Sequence, residues 1–211
     1  MTIRPYIPAL AVAALLVSPL AAFANSASAL GFARSGCTGN GCHALTASPT
    51  TRVCIEGLPG DGTYAPGTTY TLNVFVDGVS VPTSSGWATA WVDGRVAGFA
   101  FEASSGEVAA ADATVSAFET HATHDAELGN HRNHWTVEWT APSSGNVTLW
   151  LSGNAVNNSG ASDAGDLWNS LEVMLSSGAG DGAGEGLDCN PPLPLPQLVP
   201  RPLLEPAMAA H

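Results

Sequence analysis

Thr68-Thr69-Tyr70-Thr71-Leu72-Asn73-Val74-Phe75-Val76 alternates with period two and ends on Asp77-Gly78. That period sets Tyr70, Leu72, Val74 and Val76 on one face of an extended chain, the pattern of a half-buried strand closed by a turn. The same texture recurs on both sides. Upstream, Thr51-Arg52-Val53-Cys54-Ile55 reads as a first strand and Leu58-Pro59-Gly60-Asp61-Gly62 as the turn after it. Downstream, Trp87 to Val92 and Val96 to Phe101 flank Asp93-Gly94, a hairpin signal. Trp135-Thr136-Val137-Glu138-Trp139 alternates aromatic and polar residues until Ala141-Pro142 and Ser143-Ser144-Gly145 break it. Val147-Thr148-Leu149-Trp150-Leu151 and Leu167 to Leu175 read as the last strands, and residues 102–134 as a long connection or an edge excursion. Short strands at this spacing, without a helical period, predict an all-β antiparallel sandwich over residues 51–176.

What lies outside that block has a different composition. Arg4, the apolar run Ile7 to Val17 with Leu20, and the small residues around Ala22-Phe23-Ala24 form an export signal over residues 1–24. Ala27-Ser28-Ala29 offers a second cleavage point at residue 29. The apolar run is too short and too interrupted by Pro8 and Pro19 for a membrane span, and no later segment is long and apolar enough. The mature chain is therefore expected outside the cytoplasm, whether periplasmic, cell-surface or secreted. Residues 30–50 form a Gly-, Ser- and Cys-rich N-terminal segment. Residues 177–211 join a Gly/Asp-rich linker to a Pro-rich tail expected to be extended and disordered.

Charge narrows the partners. The 211 residues carry 18 acidic and six basic side chains, all six arginine, for a net charge of −12. An acidic, lysine-free chain is a poor partner for nucleic acid or an anionic membrane, since both are bound through cationic contacts. It also excludes Schiff-base chemistry and a phosphate-loop lysine. No nucleophile elbow or paired-carboxylate pattern stands out, so the expectation is a module without catalysis, and no residue is assigned a catalytic role.

Cys37-Thr38-Gly39-Asn40-Gly41-Cys42-His43 is the most chemically loaded stretch. Two thiols followed at once by a histidine form the c-type haem pattern, in which the thiols add to the porphyrin vinyl groups and His43 ligates iron. The gap between the cysteines is four residues rather than the usual two. The competing reading is a Cys37–Cys42 disulfide, because four cysteines in an exported chain pair readily. Cys54 and Cys189 remain as the other pair, bracketing the sandwich. A disulfide between them would contribute about 4–5 kcal/mol on the chain-entropy model.

His121-Ala122-Thr123-His124 and His131-Arg132-Asn133-His134 hold four of the six histidines. One of the four would supply the second axial ligand of a haem held by Cys37, Cys42 and His43. Alternatively His43, His121, His124, His131 and His134 include the ligands of a zinc or copper ion, with Asp125 and Glu127 orienting them. Both readings compete with a polar loop whose histidines only make hydrogen bonds. Asn157 to Asp166 gathers oxygen donors, among them Asp163 and Asp166, that would suit calcium, although an Asx-rich turn explains them more simply.

The order of these motifs resembles the choice-of-anchor V domain family, which is similar to Reeler domains. The Cys…Cys-His motif precedes Gly57-Leu58-Pro59 and Tyr64-Ala65-Pro66-Gly67-Thr68-Thr69-Tyr70-Thr71-Leu72. His134 to Pro142 resembles the W-x-x-x-W-T-A-P segment, and Gly153-Asn154-Ala155-Val156-Asn157 with Gly165-Asp166 resembles the closing signature. The match spans residues 36–176. The resemblance implies an immunoglobulin-like sandwich on an exported bacterial protein. Two departures are plain: the four-residue cysteine gap, and a Pro-rich end where members carry a sorting helix or anchor. The expectation is thus an exported module carrying haem c for electron transfer or haem-linked binding. The alternative is a disulfide-stapled structural or adhesive domain with a histidine-rich metal site. No feature names the redox or cell-surface partner.

Overall fold

The computed structural model describes residues 29–36, 46–77, 96–125, 128, 132–156, 165–179 and 186–190. Eleven strands lie within them: β1 (Arg52–Leu58), β2 (Thr63–Tyr64), β3 (Thr69–Asp77), β4 (Val96–Ala103), β5 (Glu107–Ala110), β6 (Val115–Phe118), β7 (His121–His124), β8 (His134–Thr140), β9 (Asn146–Val156), β10 (Leu167–Ser177) and β11 (Gly186–Asn190). They form a five-stranded sheet in the order β11-β1-β3-β8-β5 and a six-stranded sheet in the order β2-β10-β9-β4-β7-β6. All strand pairs are antiparallel except β2 with β10. The chain crosses between the layers repeatedly, as in an immunoglobulin-like sandwich, and the all-β expectation holds.

Period-two patterning explains the core. Val53 and Ile55 of β1, Leu72, Val74 and Val76 of β3, and Trp135, Val137 and Trp139 of β8 are buried from one layer. Phe99 and Phe101 of β4, Leu149 and Leu151 of β9, and Val173 and Leu175 of β10 meet them from the other. Aromatic polar tips are satisfied where the core reaches its rim. Tyr64 donates to the Gly145 carbonyl at 2.8 Å, the Tyr70 hydroxyl accepts the Ala65 amide at 2.8 Å, and Trp139 Nε1 donates to the Ser105 carbonyl at 3.1 Å.

Two regions differ from the sequence reading. Residues 102–134 carry three short strands rather than one irregular connection. Four-residue strands built on Ala109, Ala110, Ala117 and Ala122 lack the bulky alternation that marks a strand in sequence. Two of them, β5 and β6, are edge strands that bury little. Glu119, at φ 55°, turns β6 into β7 and directs its carbonyl to the Val108 amide of β5 at 2.9 Å, joining the edges of the two layers. Second, within the stretch read as linker and tail, Gly186–Asn190 pairs antiparallel with β1. The segment Trp87 to Val92 with Asp93-Gly94, the signal 1–24 and the tail beyond Asn190 lie outside the described residues.

Candidate functional site

Residues 29–36, at the start of the N-terminal segment, form a strap laid across the outer face of the six-stranded sheet. It starts at β7, where the Ala29 amide donates to Thr123 Oγ1 at 2.9 Å. It passes β9, where the Ser152 hydroxyl donates to the Ala33 carbonyl at 2.9 Å and Ala33 is buried. It ends on β10, where a Cβ on Gly36 would stand 2.4 Å from Cζ3 of Trp168. Small residues on the sheet, Ala100 and Ser152, leave room for the crossing.

Arg34 clamps the strap's middle. Its Nη2 and Nε reach the same Oε1 of Glu102, at 2.5 and 2.8 Å, and its guanidinium lies 4.0 Å above the Trp150 ring. Glu102 is mostly buried, so the guanidinium offsets the cost of withdrawing its carboxylate from bulk water. His121, opposite Glu102 in the β4–β7 register, brings Nε2 to 3.6 Å from the same oxygen. The sequence reading passed over Arg34, Glu102 and Trp150. Glu102 alone carried a signal, as a single acidic residue in an otherwise apolar strand.

Gly36 directly precedes Cys37, and the other end of the Cys/His stretch returns to the same place. The Ser48 amide donates to the Trp168 carbonyl at 2.7 Å, and Asn169 Nδ2 donates to the carbonyls of Ser48 and Thr51 at 3.1 and 2.9 Å. Trp168 and Asn169 therefore seat both feet of the loop that carries Cys37, Cys42 and His43. Those three residues lie outside the described residues, as do His131 and Asp163.

Three candidate histidines are described, and the fold keeps them apart. His121 and His124 stand three positions apart on β7, the first beside Glu102 and the second beside Gly98 and Phe99. His134 starts β8 in the other sheet and stacks on Phe75 at 6.1 Å. Among the described residues no group of three or more His, Cys, Asp or Glu side chains converges as a metal site. Asp166, the described half of the calcium candidate, is buried.

His124 closes a seam. The β4–β7 register pairs Glu102 with His121, Phe101 with Ala122 and Ala100 with Thr123, so the next rung would set Phe99 opposite His124. Side chains replace that rung. The Phe99 amide donates to His124 Nδ1 at 3.3 Å, and the Thr123 hydroxyl donates to the Phe99 carbonyl at 2.7 Å. An amide can only donate, so Nδ1 accepts and the neutral ring carries its proton on Nε2. Gly98 makes room, since a Cβ there would meet His124 Cε1 at 2.6 Å.

Cys54 is disulfide-bonded, and its partner across the β1–β11 ladder is Cys189. The ladder thus places side by side the two cysteines that the sequence leaves over.

No family model matches the chain, and no curated protein does. Among solved structures, the Reelin-N domain of F-spondin is similar, at 19% identity and a TM-score of 0.37, over 63% of this chain and 88% of that one. A human F-spondin reeler domain structure is similar at 18% identity and a TM-score of 0.37, over 64% of this chain and 92% of that one. A second is similar at 19% identity and a TM-score of 0.35, over 63% of this chain and all of that one. Among the described residues, no helix is long and apolar enough to cross a membrane.

Proposed function

We propose that the protein is an exported, non-catalytic β-sandwich module of the Reeler-like, choice-of-anchor V kind, built to anchor both ends of the segment that carries Cys37, Cys42 and His43. The observation that carries this reading is the common seat of the loop's two feet on Trp168 and Asn169. A solvated loop without a role has no need of a glycine packed on an indole at one end and three hydrogen bonds at the other. Two disulfides staple the module. Cys54 pairs with Cys189, as their register supports, and Cys37 pairs with Cys42 to close the loop. Peptide mapping with and without reductant tests this. Both links should appear as disulfide-joined peptides, and a free Cys37 or Cys42 would overturn the loop staple.

A second reading is favoured by the motif itself: haem c attached through Cys37 and Cys42 with His43 as axial ligand. Bound haem would give the module one-electron chemistry. Gly36 and Ser48 would fix the attachment loop against the sheet. Of the described histidines, His124 is nearest by register, its ring over Gly98, which shares a row with Asn154 and Trp168. Because Nδ1 accepts the Phe99 amide and Nε2 carries the proton, ligation through Nε2 would require that hydrogen bond to break and the proton to move to Nδ1. Expression with haem-maturation enzymes distinguishes the readings. A Soret band and a mass gain of one haem that survives reduction support the second, and a colourless protein with four oxidised cysteines supports the first.

Zinc or copper at ligands drawn from His43, His121, His124, His131 and His134, and calcium at Asp163 and Asp166, are lesser proposals. Elemental analysis of the purified protein tests both. The acidic surface fits a partner other than nucleic acid, whether redox protein or cell surface.

A further inference from the structure

β11 is an unusual strand for its position. It lies at the edge of the five-stranded sheet and, among the described residues, pairs only with β1. Its sequence, Gly-Leu-Asp-Cys-Asn, has three residues of low strand propensity and one bulky apolar residue. In sequence it follows the Gly-rich stretch from Gly178 to Glu185. A five-residue edge strand of this composition gains little from pairing against the entropy of being ordered. Yet it is registered residue by residue, from Val53 with Asn190 through Cys54 with Cys189 to Glu56 with Leu187.

We infer that β11 is a redox latch: the Cys54–Cys189 disulfide, rather than the ladder, holds it on β1, and reduction frees it. The inference rests on the Cys54–Cys189 pairing proposed above. β1 keeps its place without β11, because its other edge pairs with β3 and Val53 and Ile55 remain buried between the layers. The freed edge of β1 becomes available for strand addition. The reaction needs a dithiol reductant. One reductant thiolate attacks a sulfur of the bond, the S–S bond breaks, and the other cysteine leaves as a thiolate. The reductant's second thiol then displaces the first protein sulfur. The reductant ends as a disulfide, and Cys54 and Cys189 end as two protonated thiols. Because Cys54 is fully buried, attack follows fraying of the edge strand.

The test is hydrogen exchange on the whole mature protein, oxidised and after dithiothreitol, with peptide mapping of the oxidised sample and a Cys189→Ser variant alongside. Amides of residues 187–190 and the β11-facing amides of β1 should exchange at least about tenfold faster on reduction, and likewise in the variant, while β8 and β9 keep their protection. Unchanged protection of β11 in both samples would show that the ladder suffices and overturn the latch. Loss of protection throughout would make the bond a global staple and overturn it equally. Mapping that joins Cys54 to Cys37 or Cys42 would overturn the pairing beneath it. The state of Cys37 and Cys42 in the same map judges the loop staple separately, since either result there leaves the latch intact.

Discussion

His124 occupies, with its ring, the rung that its own backbone leaves open opposite Phe99. The Phe99 amide is buried and its donor has no water to turn to, so Nδ1 of His124 stands in for a strand carbonyl. The ring also contacts Phe99 and Trp135, at centroid distances of 6.4 and 6.3 Å. One side chain thus joins the two layers and ends the β4–β7 ladder.

Removing that side chain should be costly. His124→Ala leaves the Phe99 amide unsatisfied and opens space beside Trp135, for a loss of about 2–3 kcal/mol in urea unfolding. Gly98→Ala should cost at least about 1 kcal/mol by displacing the ring. If His124→Ala left the unfolding midpoint in place, the side-chain rung would be irrelevant to the fold.

The loop's seat can be loosened without touching the cysteines. Gly36 combines φ 64° with contact on the Trp168 ring, so Gly36→Val meets both backbone strain and steric conflict. Global stability should fall by about 1–2 kcal/mol. Proteolysis between Gly36 and Ser48 should accelerate at least as much as the stability loss requires. Equal cleavage rates in variant and parent would show that the loop does not depend on this seat.

Glu102 and Arg34 should behave asymmetrically. Arg34→Ala strands a buried carboxylate, whereas Glu102→Gln leaves a neutral side chain beneath a half-exposed guanidinium. The first should therefore cost more, by about 1–2 kcal/mol, as truncating one partner of a desolvated pair generally does. Denaturant titration of both variants and the double mutant measures the coupling, and equal losses would contradict the asymmetry.

Glu119 holds a left-handed conformation at φ 55°, which costs an L-residue about 1–2 kcal/mol. Glu119→Gly should thus be neutral or stabilising by up to about 1 kcal/mol. Glu119→Val should be destabilising by a similar amount. Thermal unfolding of the pair gives the sign.

Asp112 sets an acid limit locally. The hydroxyl and amide of Thr114 hold its carboxyl below the usual carboxylate range, aided by Arg132 and His134. A lowered pKa contributes stability that is complete above the unfolded value and is lost as pH falls through the folded one. The turn between β5 and β6 should therefore loosen below about pH 4, seen as faster amide exchange at Thr114. Asp112→Asn should remove that pH dependence.

Most strands were legible because alternation reports which side chains face the core. β3 and β8 follow the expected spans within a residue or two, and β1, β9 and β10 run beyond theirs. β5, β6 and β7 were not legible, since alanine and threonine fit a strand, a turn or a loop equally well. The candidate site was legible only in its chemistry. Spacing of three between His121 and His124 suggests shared ligation on a helix, but on a strand it separates the two residues. The strap was hidden for another reason: Ala29, Ala33 and Gly36 are chosen for what they cross, and the crossed surface is assembled from distant sequence.

That distance has a consequence in time. The strap and the loop leave the cell's interior first in any export that feeds the chain from its N-terminus. Their docking surface needs Glu102, Thr123, Ser152 and Trp168, which emerge long afterwards. On such a route Cys37 and Cys42 would emerge well before Trp168, and the cysteine chemistry proposed above would have that interval in which to act before the seat is complete.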